Sequence, residues 1–254
     1  MTQDLHAATR ELADRAGAEL LEVRERLVRE GADPADLKAA GDAASQKVLA
    51  TALAELHPTD AVLSEEAADT GARLSAERVW IIDPLDGTRE FSEHPRDDWA
   101  VHVALWERGE LVAGAVAIPA RGITYDTGTT TPVPERPDGP LRMAVSRSRP
   151  PTFIDTLAQH LEVSLVPMGS AGVKAMSVLD GTGDAYVHAG GQYEWDSAAP
   201  VAVARAHGLH TSRIDGSELV YNNPDPWLPD LVICRPTDSP HILRALARAA
   251  SRPD

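Results

Sequence analysis

The stretch Val79–Phe91, with the sequence VWIIDPLDGTREF, restricts the possible folds more than any other part of the chain. Its first four residues are apolar and partly β-branched, which predicts a short strand buried on both faces. Pro84 has no N–H for a strand ladder, so we expect the strand to end there. The resulting bend holds Asp83 and Asp86 at a fixed separation, with the Leu85 carbonyl between them. Because hard divalent cations prefer such oxygen ligands, the bend predicts a cation site.

Gly87 and Thr88 follow this bend and predict the start of a helix. Glycine permits close approach of a ligand to the backbone, and the free N–H groups at a helix start attract anions. A cation site beside an anion pocket favours phosphate chemistry. The same two residues are also compatible with an ordinary turn in which Thr88 is only the N-cap of a helix.

The charge of the chain excludes one class of partner. Its 254 residues include 24 Lys and Arg against 39 Asp and Glu, which gives a formal net charge of −15 and an isoelectric point near 5.0. Such a protein repels nucleic-acid polymers and anionic membrane surfaces. A small phosphate compound can still bind, because divalent metal ions reverse the local electrostatic potential.

Length and composition also bear on domains and compartment. With 43% hydrophobic residues, the chain can form the core of one large domain or of two fused halves. The N-terminus is acidic and carries no apolar leader, and no run of residues reaches the length of a membrane span, so we expect a cytoplasmic protein without a membrane partner. The single cysteine, Cys234, lies in an apolar run and is expected to be a buried strand residue rather than a nucleophile.

Two segments before the central stretch place carboxylates beside predicted elements. Asp42 precedes a predicted helix over residues 43–56, where its default role is the N-cap. The apolar run 61–64 predicts a strand that ends in Glu65 and Glu66. Adjacent carboxylates repel each other unless a cation lies beside them, so this pair is a second candidate for a cation site. A solvated loop is the alternative.

The remaining pattern predicts an α/β protein. Apolar residues at helical spacing over 5–27 predict a long amphipathic helix that Gly31 ends. Residues 119–140 are rich in Pro, Gly and Thr and predict a hairpin with a long tip or a linker, so we place a boundary there between halves 1–140 and 141–254. Helix-like and strand-like segments alternate through the second half, which indicates helices that cover sheets. From residue 99 onward, the predicted strands and helices are 99–106, 111–118, 141–146, 153–161, 163–167, 172–180, 184–188, 196–207, 209–213, 230–234 and 240–250.

Asp196 is a late candidate for the same site. It stands where an alanine-rich helix is predicted to begin, which is the N-cap position, and Pro200 is compatible with that helix in or near its first turn. A plain N-cap is therefore one interpretation. If Asp196 instead faces Asp83 and Asp86, it supplies a third aspartate to the cation site.

Taken together, three motifs resemble the signature of the inositol monophosphatase superfamily of metal-dependent, lithium-sensitive phosphatases. They are Ser64-Glu65-Glu66, the turn Asp83–Thr88 and Trp195-Asp196, in that order. The resemblance extends from about residue 5 to the C-terminus and implies the layered α/β fold of that family, in which layers of helices and sheets alternate. Residues 88–91 and 169–174 further resemble the bisphosphate nucleotidase branch known as CysQ, most closely its actinobacterial members.

The resemblance implies a set of metal ligands and two catalytic residues. Two to three Mg²⁺ ions would be held by Glu65, Asp83, the Leu85 carbonyl, Asp86 and Asp196. Asp42 would orient the hydroxyl of Thr88, which would position the attacking water and help to deprotonate it. The water would attack phosphorus in line, without a phosphoenzyme.

The resemblance also implies a substrate. The expected reaction removes the 3′-phosphate from 3′-phosphoadenosine 5′-phosphate, with its sulfated derivative as a second substrate in sulfate assimilation, and the expected assembly is a homodimer. Related nucleotidases often carry histidine at the position of Arg149, where an arginine could stack on adenine or pair with the second phosphate. The alternatives are a solvated loop arginine for Arg149 and a helix-surface lysine for Lys174. The residues expected to contact the substrate are Glu65, Leu85, Gly87, Thr88, Ser146, Arg149, Ser170, Lys174 and Asp196.

Three other functions stay open. The protein could hydrolyse inositol 1-phosphate or fructose 1,6-bisphosphate, although the acidic residue that inositol phosphatases use near the late motif has no clear match at Ala189 or Glu194. Phosphatases of the haloacid-dehalogenase type also place two aspartates after a strand, but two residues apart rather than the three that separate Asp83 and Asp86. A non-catalytic metal-binding protein is the third alternative, and it would have no use for an activated hydroxyl.

Overall fold

The computed structural model describes residues 4–148 and 153–250, and it opens with a long helix. This helix, α1 (Leu5–Glu30), begins after Asp4, whose carboxylate accepts hydrogen bonds from two N–H groups of the first turn. It ends at Gly31, which has a left-handed conformation (φ 73°) that glycine adopts without steric cost. The predicted long helix and its end are therefore confirmed.

The second helix, α2 (Pro34–Leu56), begins well before the predicted start at residue 43. Asp33 is its N-cap, and Pro34 occupies the first turn, where no N–H is required. The prediction that Asp42 caps this helix is wrong, because Asp42 lies in the helix interior. Gly41 lowers the helix propensity there, but a Cβ at this position would lie 2.7 Å from the Phe91 ring, so packing requires the glycine.

Five strands form the first sheet in their order along the chain. The first two strands are parallel and the other pairs are antiparallel. The last strand comes from the segment 119–140, whose remaining residues after position 126 form no helix or strand. The strands are β1 (Ala61–Ser64), β2 (Arg78–Asp86), β3 (Ala100–Glu107), β4 (Glu110–Ile118) and β5 (Ile123–Asp126).

The strand β2 does not end at Pro84, contrary to the prediction. Asp83 pairs with His102 and Asp86 pairs with Ala100, so β2 advances by three residues while β3 advances by two. This bulge accommodates Pro84, because a bulged residue needs no ladder hydrogen bond. Side chains three apart point to opposite faces of a regular strand, and the extra residue brings Asp83 and Asp86 to the same side.

Five later strands form the second sheet. The parallel strand β6 lies between β7 and β8, and β10 joins β8 to β9 through antiparallel pairs. The strands are β6 (Leu141–Ser146), β7 (Val163–Met168), β8 (Ala185–Tyr193), β9 (His210–Ser212) and β10 (Trp227–Cys234). The first sheet thus ends before residue 127 and the second begins at residue 141, while the division into halves 1–140 and 141–254 stays a prediction.

Three groups of helices alternate with the two sheets. The shorter helices are α3 (Thr88–Ser92), α4 (Ile154–Leu157), α5 (Ala171–Asp180), α6 (Glu194–Ala206) and α7 (Ser239–Ala250). One core joins α1 and α2 to the outer face of the first sheet, and a second core places α5 and α6 between the sheets. A third core packs α4 and α7 on the outer face of the second sheet. The layered α/β fold is therefore confirmed.

Two further observations bear on the expectations from sequence. Cys234 is a buried residue of β10, as predicted, and burial raises the pKa of its thiol to about 12. Among residues 4–148 and 153–250, no helix combines the length and the hydropathy that a bilayer crossing demands.

Candidate active site

The end of β2 forms the floor of a cleft between the two sheets. Asp83 and Asp86 lie on one side of the bulge, and Asp196 reaches them from the start of α6. One carboxylate oxygen from each of the three lies within 4.8 Å of the other two. The three aspartates that the sequence singled out are thus brought together.

Glu65 completes this acidic cluster because of strand register. The parallel pairing of β1 with β2 sets Ser64 beside Ile82, so that the next residues, Glu65 and Asp83, emerge side by side. Their carboxyl groups share a hydrogen bond. Burial, together with the charges of Asp196 and Asp86, raises the pKa of Glu65 to about 7.

Asp83 is the most enclosed member of the cluster. It is 1% exposed, and its Oδ1 accepts a hydrogen bond of 3.0 Å from the N–H of Leu85, which fixes the bend. Burial, followed by the charges of Glu65, Asp86 and Asp196, raises the pKa of Asp83 well above its usual value. This carboxylate is therefore costly to ionise without a positive partner.

Asp86 is stabilised as an anion by donors from other elements. Its Oδ2 accepts hydrogen bonds from the hydroxyl of Ser170 and from the N–H of Gly172, the latter at 2.7 Å. The Nε2 atom of His102 lies 3.1 Å from the same oxygen. Burial alone would raise the pKa of Asp86, but His102, Lys174 and Ser170 hold it below its usual value.

Asp196 has two roles, which corrects the interpretation as a plain N-cap. Helix α6 begins at Glu194 after the N-cap Tyr193, and Asp196 Oδ2 accepts a hydrogen bond of 2.6 Å from the Tyr193 N–H. Burial, together with the charge of Asp86, raises the pKa of Asp196 to about 6. Pro200 lies in the helix interior rather than the first turn, and it lacks the N–H that would otherwise bond to the Asp196 carbonyl.

The donor set fits a divalent cation. Four carboxylates converge, and the pKa values of Glu65, Asp83 and Asp196 are raised first by burial and then by repulsion between their negative charges. A bound cation would offset the repulsion between the carboxylates, and Mg²⁺ prefers oxygen ligands of this kind. The residues able to hold it are Glu65, Asp83, Asp86 and Asp196, with the Leu85 carbonyl beside them.

A second pair of residues lies next to the acidic cluster. The Thr88 hydroxyl donates a hydrogen bond of 3.2 Å to the Leu85 carbonyl oxygen, and it also interacts with the carboxylate of Asp42. Burial, together with the charge of Glu66, raises the pKa of Asp42 to about 6, although the Thr88 hydrogen bond opposes the shift. Thr88 is the first residue of α3, and Gly87, with φ 90°, is its N-cap. The structure therefore brings Asp42 and Thr88 together.

A cleft of about 580 Å³ opens above these residues. Ser170 lies at its base as the N-cap of α5, and Ser146 lies in its wall at the end of β6. Arg149 lies outside the described residues. The lining includes Asp86, Gly87, Thr88, Arg89, Glu90, Ser146, Ser148, Gly169, Ser170, Lys174, Ala189, Tyr193, Asp196 and Trp227.

Lys174 is a buried residue rather than a helix-surface lysine. It is 6% exposed, and its ammonium group donates hydrogen bonds to the carbonyl oxygens of Gly169 and Ser170, the former at 3.3 Å. Burial lowers the pKa of Lys174, against the attraction of Asp86 and other acids. The positive charge of Lys174 therefore offsets part of the negative charge of the acidic cluster.

Glu194 does not belong to the cluster. Its buried carboxylate accepts hydrogen bonds from the N–H groups of Asn222 and Asn223, at 2.7 and 2.8 Å, and so fixes the loop before β10. Ala189 does line the cleft but offers no carboxylate. Neither Ala189 nor Glu194 therefore supplies the acidic side chain that inositol phosphatases use near this motif.

Sequence reasoning missed His102 and Arg89. His102 is fully buried, and its Nδ1 lies 3.1 Å from the Trp195 carbonyl oxygen, so it joins the Asp86 and Asp196 segments. The sequence did offer one signal for His102, which is a polar residue in the otherwise apolar run of β3. Arg89 directly follows Thr88 and its side chain is exposed in the cleft lining.

Comparisons with known proteins agree with this geometry. The sequence profile of the inositol monophosphatase family matches residues 1–250. A Mycobacterium bovis protein named 3′-phosphoadenosine 5′-phosphate phosphatase is 53% identical over 243 residues, which cover 92% of this chain and 90% of that protein. A Mycobacterium leprae protein of the same name is 51% identical over 250 residues, which cover 93% and 91%.

A solved structure supports the same assignment. The crystal structure of CysQ from Bacteroides thetaiotaomicron, described as a bacterial member of the inositol monophosphatase family, superimposes with a TM-score of 0.79 at 26% identity. The match covers 92% of this chain and 98% of that one. Since the profile spans nearly the whole chain and the relatives share half of its residues, the chain belongs to the inositol monophosphatase family.

Proposed function

We propose that this protein is a Mg²⁺-dependent phosphatase that removes the 3′-phosphate from 3′-phosphoadenosine 5′-phosphate and from its sulfated derivative. One observation carries the proposal: Asp83, Asp86 and Asp196 converge within 4.8 Å, and the hydrogen-bonded pair of Thr88 and Asp42 lies beside them. The names of the mycobacterial relatives support the choice of substrate.

The acidic residues hold the cations in this proposal. Glu65, Asp83, Asp86, Asp196 and the Leu85 carbonyl would bind two to three Mg²⁺ ions. When bound, Mg²⁺ supplies Lewis acidity that lowers the pKa of water and offsets the negative charge of the phosphate. The carboxylates are already fixed by strand register, by the bulge and by donors from α5, so little reorganisation is required.

Thr88 and Asp42 orient the nucleophile. The Thr88 hydroxyl has one proton, for which the Leu85 carbonyl oxygen and the Asp42 carboxylate are both acceptors, and in this mechanism the hydroxyl directs the proton to Asp42. Its oxygen lone pairs then accept a hydrogen bond from the attacking water, and the proton of the water moves toward the Thr88–Asp42 pair as phosphorus is attacked. A pKa of about 6 for Asp42 suits a proton acceptor near neutral pH. No side chain becomes covalently attached to phosphate.

Backbone and buried polar groups orient the substrate. The N–H groups of Gly87 and Thr88 would hold the reacting phosphate, and Ser146, Ser170 and Lys174 would form the surrounding wall. The absence of a carboxylate at Ala189 weakens the alternative of inositol 1-phosphate, because that position has no acceptor for a sugar hydroxyl.

The test is phosphate release with Mg²⁺ present, comparing kcat/KM for adenosine 3′,5′-bisphosphate, inositol 1-phosphate and fructose 1,6-bisphosphate. We expect a clear preference for the nucleotide, loss of activity in EDTA and inhibition by millimolar Li⁺. A preference for either sugar phosphate would place the protein in another branch of the family. Metal binding without hydrolysis of any phosphomonoester would support the non-catalytic alternative, and phosphoaspartate trapped on Asp83 would refute the direct-attack mechanism.

Two expectations about the setting of the protein stay predictions. The cytoplasmic location is one of them, and the homodimer, which the resemblance alone implies, is the other. Light scattering coupled to size-exclusion chromatography would test the dimer directly, with a mass of twice 27.2 kDa as the expected result.

A further inference from the structure

Arg89 is an exposed cation in the cleft that the proposed mechanism does not use. It directly follows Thr88 in α3. Within residues 4–148 and 153–250, its guanidinium group makes no hydrogen bond or ion pair. Nearby arginines differ, since Arg147 contacts Glu90 and Glu93 at 2.9 and 2.7 Å, and Arg96 is paired with Asp98.

The acids next to Arg89 do not neutralise it. Glu90 is 5% exposed, and its carboxylate is paired with Arg147. Glu93 binds the same arginine. Because successive residues of a helix point about 100° apart, Arg89 and Glu90 leave α3 in different directions. The guanidinium group is therefore free to meet an anion from the cleft.

The other cleft cation is already engaged. The ammonium of Lys174 is buried, donates to two carbonyl oxygens and faces the charge of Asp86. In a chain with a formal charge of −15, a second phosphate would meet a negative potential on entering the cleft. Guanidinium groups bind phosphate oxygens in a bidentate manner, so Arg89 has the required chemistry.

We propose that Arg89 binds the phosphate that is not hydrolysed, and that it selects bisphosphates over monophosphates. This inference rests on the proposed function, since it assigns the second phosphate of that substrate. The reacting phosphate is assigned to the side of Thr88, whose hydroxyl is directed toward Asp42 and Leu85, and the second phosphate to the side of Arg89.

The experiment compares Arg89→Ala with the wild-type protein on adenosine 3′,5′-bisphosphate and on adenosine 3′-phosphate. Loss of a charged hydrogen bond predicts a fall in kcat/KM of about 10- to 100-fold for the bisphosphate, at least tenfold greater than the fall for the monophosphate. Arg89→Lys should recover part of the loss. Arg26→Ala, at an exposed position of α1, is the matched control for removing a positive charge.

Binding gives a readout that does not depend on turnover. Calorimetric titration with the product adenosine 5′-phosphate should show weaker affinity for Arg89→Ala, while titration with adenosine should not distinguish the variants. Equal losses of kcat/KM on both nucleotides, or a selective loss in Arg149→Ala alone, would overturn the assignment of Arg89 and leave the proposed function intact. A wild-type protein that hydrolyses neither nucleotide would overturn both.

Discussion

At the scale of single residues, Asp83 and Asp86 have opposite electrostatic surroundings although both are buried at the same bulge. Asp83 faces three other carboxylates, whereas Asp86 faces a hydroxyl, a backbone N–H and an imidazole. The sequence spacing predicts that both are cation ligands. It does not reveal this difference, because the donors come from residues that are distant in the chain.

Asp83→Asn and Asp86→Asn should therefore change stability in opposite directions. In EDTA, Asp83→Asn replaces a carboxyl group that is costly to ionise in the folded protein and should raise Tm by about 2 to 4 °C. Asp86→Asn loses charged hydrogen bonds and should lower the free energy of unfolding by about 2 kcal/mol. Both variants should lose Mg²⁺-dependent turnover. Differential scanning fluorimetry and phosphate release check these outcomes, and a lower Tm for Asp83→Asn would contradict the assigned repulsion.

Thr88→Ala separates proton transfer from metal binding. In the proposed mechanism the hydroxyl links Asp42 to the attacking water, so its removal should lower kcat by about 10²- to 10⁴-fold. Mg²⁺ affinity, measured by calorimetry, should change little, because the aspartates keep their places. Thr88→Ser keeps the hydroxyl and is the control. A comparable loss of kcat in Thr88→Ser would argue against a role for the hydroxyl itself.

At the scale of elements, the start of α5 carries several constraints at once. Ser170 has a positive φ of 49°, accepts a hydrogen bond from the Val173 N–H and donates one to Asp86. Gly172 lies so close to β3 that a Cβ there would be 2.1 Å from His102 Nε2. The glycine is therefore a packing requirement that helix propensity alone would not suggest.

Gly172→Ala should disturb the Asp86 environment through this close contact. Because the imidazole is buried and cannot move away freely, we expect a loss of about 2 to 3 kcal/mol in stability together with weaker Mg²⁺ binding. The double variant Gly172→Ala with His102→Ala removes the clashing ring, so its loss should be smaller than the sum of the two single losses. Strictly additive losses in denaturant unfolding would contradict the clash.

Prediction from sequence succeeded where an element depends on local residues. The end of α1 at Gly31 and the strand 141–146 follow from apolar spacing and a glycine cap. It failed for the start of α2, because the cap and proline at 33–34 outweigh the apparent cap at Asp42. The predicted end of β2 at Pro84 was also wrong, because the bulge that lets the strand continue depends on the neighbouring strand β3.

At the scale of the whole molecule, the site lies where the two sheets meet. Glu65, Asp83 and Asp86 come from the first sheet and its edges, while Asp196 and Ser170 come from helices between the sheets. The local sequence motifs do not predict the distances between these residues, and the apolar periodicity does not predict them either. The link from His102 to the Trp195 carbonyl, across 93 residues of sequence, had no separate signal in the sequence.

The raised pKa values predict how stability depends on pH. Asp42 and Asp196 have pKa values of about 6 and Glu65 of about 7, so the folded protein binds more protons than the unfolded chain above about pH 4. The free energy of unfolding of EDTA-treated protein should then fall as pH rises toward 8. Mg²⁺ should offset this loss.

The measurement is Tm in EDTA and in saturating Mg²⁺ at each pH. The difference between the two Tm values should increase by roughly 5 °C from pH 5 to pH 8. Histidines remote from the site contribute equally to Tm in EDTA and in Mg²⁺, so their effect cancels in the difference. A difference that stays constant or shrinks with rising pH would show that the carboxyl groups with raised pKa values are not coupled to the cation.

The position of Cys234 has a practical consequence. The chain has one cysteine, and its thiol is enclosed in β10 with a raised pKa. Since the thiolate is the reactive form, maleimides and disulfide reagents should leave the native protein unmodified. A cysteine introduced at an exposed position would then be the single point of attachment for a fluorophore, so movements of the cleft walls could be followed by energy transfer from the native tryptophans, among them Trp227 in the cleft lining, without first removing a native thiol.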